Sequence, residues 1–292
     1  MLLGILNAQA AGGLQPLYVA VGDSGTLTTS ADGITWTSQT SGFGSTDIWG
    51  STNGDGLFLA VGDSGKLTTS ADGITWTSQT SGTGLYLRAA AYGDNLYIIV
   101  GQSGTMRTSP DAVTWTGRST GLGGRHCTAA THGNGLYVVG LSGGYVVTSA
   151  DGITWASTLT GLGAIQIYGL TYGDGLYVAV GDSGVVGTST NGTTWTSQTS
   201  GTGNTLSGVT YGDGLYVAVG AAGKLITSPD GTTWTTRSSG FGLNDINSVA
   251  YTDGLYVIVG AAGKLSTSPD GITWTSQTSA FGTTQIRSVT IG

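Results

Sequence analysis

Glutamate is missing from this chain of 292 residues: all 16 of its acidic residues are Asp. Lys and Arg together number 9, charged residues make up 9% of the sequence, and there is a single Cys. A typical soluble domain carries roughly 25% charged residues. Without Glu, and with so little Lys and Arg, the best exposed helix formers are lacking, which excludes long solvent-facing helices. One Cys excludes an intrachain disulfide framework. No apolar run reaches the roughly 18 to 20 residues of a membrane-spanning helix, so no membrane span is expected. The net charge of −7 removes the electrostatic term on which sequence-independent nucleic-acid binding depends, and no nucleic-acid partner is expected. What the chain does have is 54 Gly, 13 Tyr and 8 Trp, with apolar residues spread evenly along it, which argues against disorder.

The organisation is a repeat. The phrase SADGITW recurs in variants whose tryptophans are Trp36, Trp76, Trp115, Trp155, Trp195, Trp234 and Trp274. They lie 40, 39, 40, 40, 39 and 40 residues apart. Trp49 stands outside the series. Each unit reads as four short strands. In the unit around Trp234 these are Leu206 to Tyr211, Leu215 to Val219, Lys224 to Thr227 and Thr232 to Thr236. Runs of Val, Ile, Thr, Tyr and Trp bounded by Gly and Asp turns are hairpin signals. The second run is apolar on both faces and predicts a fully buried strand. The fourth is rich in Thr, Ser and Gln, as an outer edge should be.

Four strands in about 40 residues, repeated, is the arithmetic of a β-propeller blade. The chain enters its repeats at a second strand, Leu17 to Val21, and finishes with a first strand, Ile286 to Ile291. The predicted fold is therefore all-β: a seven-bladed β-propeller over residues 14–292, four antiparallel strands per blade, with the C-terminal strand joining the N-terminal blade to close the ring. Residues 1–13 form a separate apolar tail. A signal peptide would begin with basic residues; this tail has none, so no cleaved signal peptide is expected. Its Leu2, Leu3, Ile5 and Leu6 are the expected assembly contacts with neighbouring proteins.

The segment Ser30-Ala31-Asp32-Gly33-Ile34-Thr35-Trp36 resembles the Asp-box of bacterial neuraminidase-type repeats, with one residue fewer between Asp and Gly. The resemblance covers the seven repeats and extends to propellers of phage virions and bacterial surface proteins. It implies a hairpin between the third and fourth strands, away from the ligand face. Asp32, Asp72, Asp111, Asp151, Asn191, Asp230 and Asp270 then have turn chemistry as their job: Asp accepts backbone N–H groups, Gly permits the turn and Trp packs beneath it. Asn191 fits, because Asn keeps the acceptor oxygen but is no carboxylate.

The same resemblance raises sialidase chemistry, which in that family needs an arginine triad, a Tyr nucleophile and its Glu partner. This chain has no Glu. Arg88, Arg125 and Arg287 fall in or beside first strands and form a candidate central trio for an anion. Cys127 and His126 are adjacent in sequence and point to opposite faces of a strand, so they make no dyad. The Gly-Asp-Ser-Gly slots at Gly22, Gly62 and Gly181 are occupied elsewhere by Ala221-Ala222 and Ala261-Ala262, which marks a hairpin turn and no nucleophile.

The repeats differ most where each fourth strand leads into the next first strand. In a propeller these connections share one face with the turns between second and third strands, around the central opening. That face is expected to gather Phe43, Asp47, Trp49, Tyr86, Arg88, Arg125, His126, Tyr168, Phe241, Asn244, Asp245, Phe281 and Arg287. Aromatics beside short polar groups and Arg suit a protein or glycan partner. The expectation is a non-enzymatic binding or structural module with no cofactor and no metal. It is placed on a phage virion or an extracellular surface, engages a host receptor, a glycan or a neighbouring virion protein, and self-associates as a homo-oligomer. A lectin and, more remotely, a sialidase-like hydrolase are the alternatives.

Overall fold

The computed structural model describes residues 17–292. The tail of residues 1–13, with Leu2, Leu3, Ile5 and Leu6, lies outside the described residues. Seven antiparallel sheets of four strands each follow one another around a ring. The innermost strands of blades 2 to 7 are Ile48–Gly54, Leu87–Gly93, Cys127–Gly133, Ile167–Gly173, Leu206–Gly212 and Ile246–Thr252. Blade 1 takes its innermost strand from the end of the chain. Ile286–Ile291 pairs antiparallel with Tyr18–Gly22, Tyr18 facing Ile291 and Ala20 facing Val289. Backbone bonds in both directions between Leu17 and Gly292, of 2.8 and 3.0 Å, continue the ladder. Closure is thus made by main-chain hydrogen bonds within one sheet, and no blade is left with an open face. Among the described residues no helix is long and apolar enough to cross a membrane.

The second strand of each blade is the core. Leu215–Gly220, for example, is buried at every position after the first, because its alternate side chains face the blades on either side. Val217, Val219 and Tyr256 pack with Phe241 and Ile246 between blades 6 and 7, and the same cluster recurs at each junction. Burying one such Val, Leu or Ile stabilises by about 1.5–3 kcal/mol. Five junctions add a polar staple. The hydroxyls of Tyr97, Tyr137, Tyr177, Tyr216 and Tyr256 donate to the carbonyls of Gly54, Gly93, Gly133, Gly173 and Gly212 of the preceding blade. Burial pushes the Tyr97 and Tyr177 hydroxyls up to about 12. Glycine is required at the accepting position: a Cβ on Gly212 would lie 2.0 Å from the ring of Tyr251.

The outer strand is shorter than the sequence pattern predicts. It covers Thr235–Arg237 in blade 6, where the run of Thr suggested a start at Thr232. The reason is the turn before it. Asp230 Oδ1 accepts the N–H groups of both Thr232 and Thr233 at 2.8 Å, so neither is free to join the ladder. The same arrangement recurs in every blade, with the tryptophan indole donating to the turn glycine or, in blade 3, to Ala112. Bonds to the ionised oxygen hold Asp32, Asp72, Asp111 and Asp270 down at about 2. Asn191 makes the same two backbone contacts with a neutral oxygen, at 3.0 and 2.8 Å.

Candidate functional site

A β-bulge near the start of every innermost strand builds the site. Opposite the second strand of blade 2, Ile48 pairs with Gly62 and Gly50 with Val61, which leaves Trp49 as the extra residue. The same slip isolates Arg88, Thr128, Tyr168, Ser207, Asn247 and Arg287 in the other six blades. A bulge bends its strand and re-aims one side chain. Here the residue before the bulge is fully buried between blades, as at Ile48, Leu87 and Ile286, and the bulged residue lines the axial channel. Seven side chains of six kinds therefore form one ring at the channel mouth. Below it the innermost strands approach closely: a Cβ on Gly50 would sit 2.6 Å from the carbonyl oxygen of Arg88. The channel encloses about 450 Å³.

The ring is charged and aromatic on one side. The Arg287 guanidinium lies 4.1 Å from the centre of the Trp49 ring, and Arg88 lies 5.4 Å from Trp49 and 5.5 Å from Tyr168. Trp49, Tyr86 and His126 continue as a row, their rings 6.4 and 6.2 Å apart. The turns between second and third strands supply the acids. Asp23 accepts from Arg287 Nε at 2.6 Å, Asp63 from the Trp49 indole at 2.7 Å, and Asp182 from the backbone N–H of Gln166 at 2.8 Å. Burial, first of all, raises the Tyr168 hydroxyl, and the charge of Asp182 adds to it. Burial also lowers Arg88 below its ordinary value, and the like charge of Arg287 works the same way.

Of the residues expected on this face, Trp49, Arg88, Tyr168 and Arg287 come together around the channel, with Tyr86 and His126 beside them. Three others turn inward. Phe43, Phe241 and Phe281 are 1%, 1% and 5% exposed, because each ring drops into the core between two blades. Asp47, Asp245 and His126 hold turns: they accept the N–H groups of Ser24, Ala222 and Ser103. Those three donors have φ of 56°, 53° and 54°, a left-handed conformation that costs a non-glycine residue about 1 kcal/mol or more. Asn244 bonds to the Phe241 carbonyl at 3.0 Å. Arg125 leaves the expected trio. Its guanidinium stacks on Tyr145 at 4.3 Å and donates to Ser142, and it does not line the channel. The central pair is Arg88 and Arg287.

Thr128, Ser207, Asn247 and the turn acids Asp23, Asp63 and Asp182 complete the mouth and escaped sequence reasoning. One signal was available for the ring. Each of its members directly follows the buried Ile, Leu or Cys that opens a first strand, and aligning the seven copies on that residue places all seven in one column.

Fold and site together define a seven-bladed propeller with a decorated axial mouth. No family model and no curated protein matches the chain. Among solved structures, YCF48 bound to a D1 peptide is 21% identical with a TM-score of 0.63, over 79% of this chain and 80% of that one. YCF48 from Cyanidioschyzon merolae is 17% identical with a TM-score of 0.60, over 79% and 84%. Virginiamycin B lyase from Staphylococcus aureus is 10% identical with a TM-score of 0.71, also over 79% and 84%. These likenesses are of fold.

Proposed function

We propose that the chain is a non-catalytic recognition module whose partner seats on the axial mouth. One observation carries this reading. The seven blades repeat their hairpins almost unchanged, yet place seven different or differently partnered side chains at the one position that faces the channel. A fold needs the hairpins; nothing in the fold needs Trp49, Arg88, Tyr168 and Arg287 at the bulges. A protein partner is favoured, and the peptide seen on the similarly folded YCF48 supports it. The absence of Glu, and the use of Asp in hairpins and turn contacts, support a non-catalytic role.

The test is a screen of immobilised peptides and glycans with the native protein and with a Trp49→Ala/Tyr168→Ala variant that still unfolds cooperatively well above the assay temperature. Ligands bound by the first and lost by the second are expected. Ligands retained by the variant place recognition elsewhere, a glycan-only profile makes the protein a lectin, and turnover of a sialoside makes it an enzyme. The composition, rich in Thr, Ser and Gly, and the apolar residues 1–13 support a further proposal. In it the propeller is an appendage of a phage virion or cell surface, attached through Leu2, Leu3, Ile5 and Leu6. Deletion of residues 1–13 should abolish its incorporation into particles while leaving the propeller folded.

A further inference from the structure

Arg88 differs from every other arginine in the molecule. A guanidinium carries five N–H donors. Arg107, Arg118, Arg125, Arg237 and Arg287 each donate to a protein oxygen, of Gly82, Thr108, Ser142, Thr227 and Asp23 respectively. Among the described residues Arg88 has neither a hydrogen-bond acceptor nor a carboxylate partner. It is half-buried in the channel, flanked by the rings of Trp49 and Tyr168. Its nitrogens still reach solvent, so a carboxylate can replace that water and make charge-assisted bonds in a partly desolvated site. The acids of the same mouth do not: Asp23 is held by Arg287, Asp63 by Trp49 and Asp182 by Gln166. Arg287 contributes a second positive charge close enough to act on Arg88.

We infer that the axial mouth binds a carboxylate, received by Arg88 and backed by Arg287, and that this carboxylate arrives on a peptide as an acidic side chain or a chain terminus. The inference rests on the mouth being the recognition face. A guanidinium matches a carboxylate with two parallel N–H···O bonds. A peptide is favoured over a sugar because the rings of the mouth already have neighbours: Arg287 lies 4.1 Å from Trp49, Arg88 5.5 Å from Tyr168, and Tyr86 sits beside His126. A sugar ring stacking there would compete with these neighbours, whereas a carboxylate needs only the guanidinium. The channel volume of about 450 Å³ suits one side chain or chain end entering along the axis.

The experiment is isothermal titration of the whole protein with four probes: a pentaglycine blocked at both ends, the same peptide with a central Asp, a pentaglycine with a free C-terminal carboxylate, and 3′-sialyllactose. Binding of one or both acidic peptides is expected, and which of them binds tells side chain from terminus. Arg88→Gln should weaken that binding at least tenfold and Arg88→Lys by less, each with an unchanged unfolding midpoint. Arg88→Gln binding the acidic peptides like the native protein overturns the inference. Equal binding of the neutral pentaglycine, lost in Trp49→Ala, also overturns it while leaving the mouth as the recognition face. Binding of the sugar alone, dependent on Arg88, overturns the peptide as carrier. No response of any probe to any mouth substitution overturns both readings.

Discussion

The rim hairpins and the axial ring are both sevenfold, and they have diverged in opposite ways. At the rim, six of seven copies keep an Asp and the seventh an Asn with the same bonds. At the ring the seven positions hold Trp, Arg, Thr, Tyr, Ser, Asn and Arg. The difference is one of constraint. A rim residue must satisfy two backbone donors and a Ser hydroxyl, so its chemistry is dictated locally. A bulge residue has left the ladder, so no shared partner dictates its chemistry. Thr128 and Asn247 donate to the Ile167 and Ile286 carbonyls of the next blade, Trp49 and Arg287 to turn carboxylates, and Arg88 to no group among the described residues. Repetition therefore marks what the propeller needs, and divergence marks where the proposed recognition has room to act.

The largest test of that contrast uses one residue type in both places. Trp36 is 7% exposed and packs between blades 1 and 7 against Tyr18. Trp36→Ala should cost about 3–5 kcal/mol of stability, the usual penalty for emptying a buried aromatic site. Trp49 is half-buried at the channel, and Trp49→Ala should cost about 1–2 kcal/mol while removing partner binding. Denaturant unfolding of the two variants decides it; equal losses would erase the distinction between rim and ring.

Acid should attack the rim next. Asp32, Asp72, Asp111 and Asp270 are held at about 2 against an ordinary value of 3.8. Their folded values are lowered, so their contribution is complete above about 3.8 and is lost as the pH falls through about 2. Unfolding midpoints should drop over that window. Asp32→Asn, which copies the natural Asn191, should flatten the drop, because the amide accepts the same N–H groups without titrating. An Asp32→Asn variant with the full acid sensitivity of the native protein would count against the hairpins as its origin.

The junctions between blades supply a smaller effect. Tyr216→Phe removes the bond to the Gly173 carbonyl and leaves that oxygen buried, at a cost of about 1–2 kcal/mol. The ring itself will still fit, since Phe58 occupies the same register in blade 2. A loss below about 0.5 kcal/mol would mean the staple is only decorative.

The fold was legible because its signals are long and redundant. Seven copies of one hairpin give the blade count, and the orphan strand Ile286–Ile291 gives the closure. The site was half legible. Divergence between copies pointed to the face that carries the channel mouth, and to Trp49, Arg88, Tyr168 and Arg287, which line it. It also swept in Phe43, Phe241 and Phe281, because loop phenylalanines vary among blades for reasons of packing as readily as for binding. Asp47 and Asp245 were misleading for a related reason: their carboxylates cap strained turns of the neighbouring blade, a contact between residues 23 positions apart that no local pattern reveals. The bulge was invisible as well, since a slip of one residue shows only when two strands are laid side by side. It is the slip that turns Trp49 from a misfit in the tryptophan series into a member of the ring.

The smallest expected effect is the sharpest statement about the ring. Ser207 lines the channel in blade 6 and Asn247 stands at the same bulge in blade 7. Ser207→Asn carries one blade's choice to its neighbour. Ser207 is partly exposed to the channel, its backbone has already left the ladder, and Asn tolerates irregular backbone well. The unfolding free energy should move by less than about 0.5 kcal/mol, while the added amide changes the polar groups a partner meets. A larger loss of stability would show that the ring positions are tuned to one another, and that their variety belongs to the packing of the channel and not to recognition.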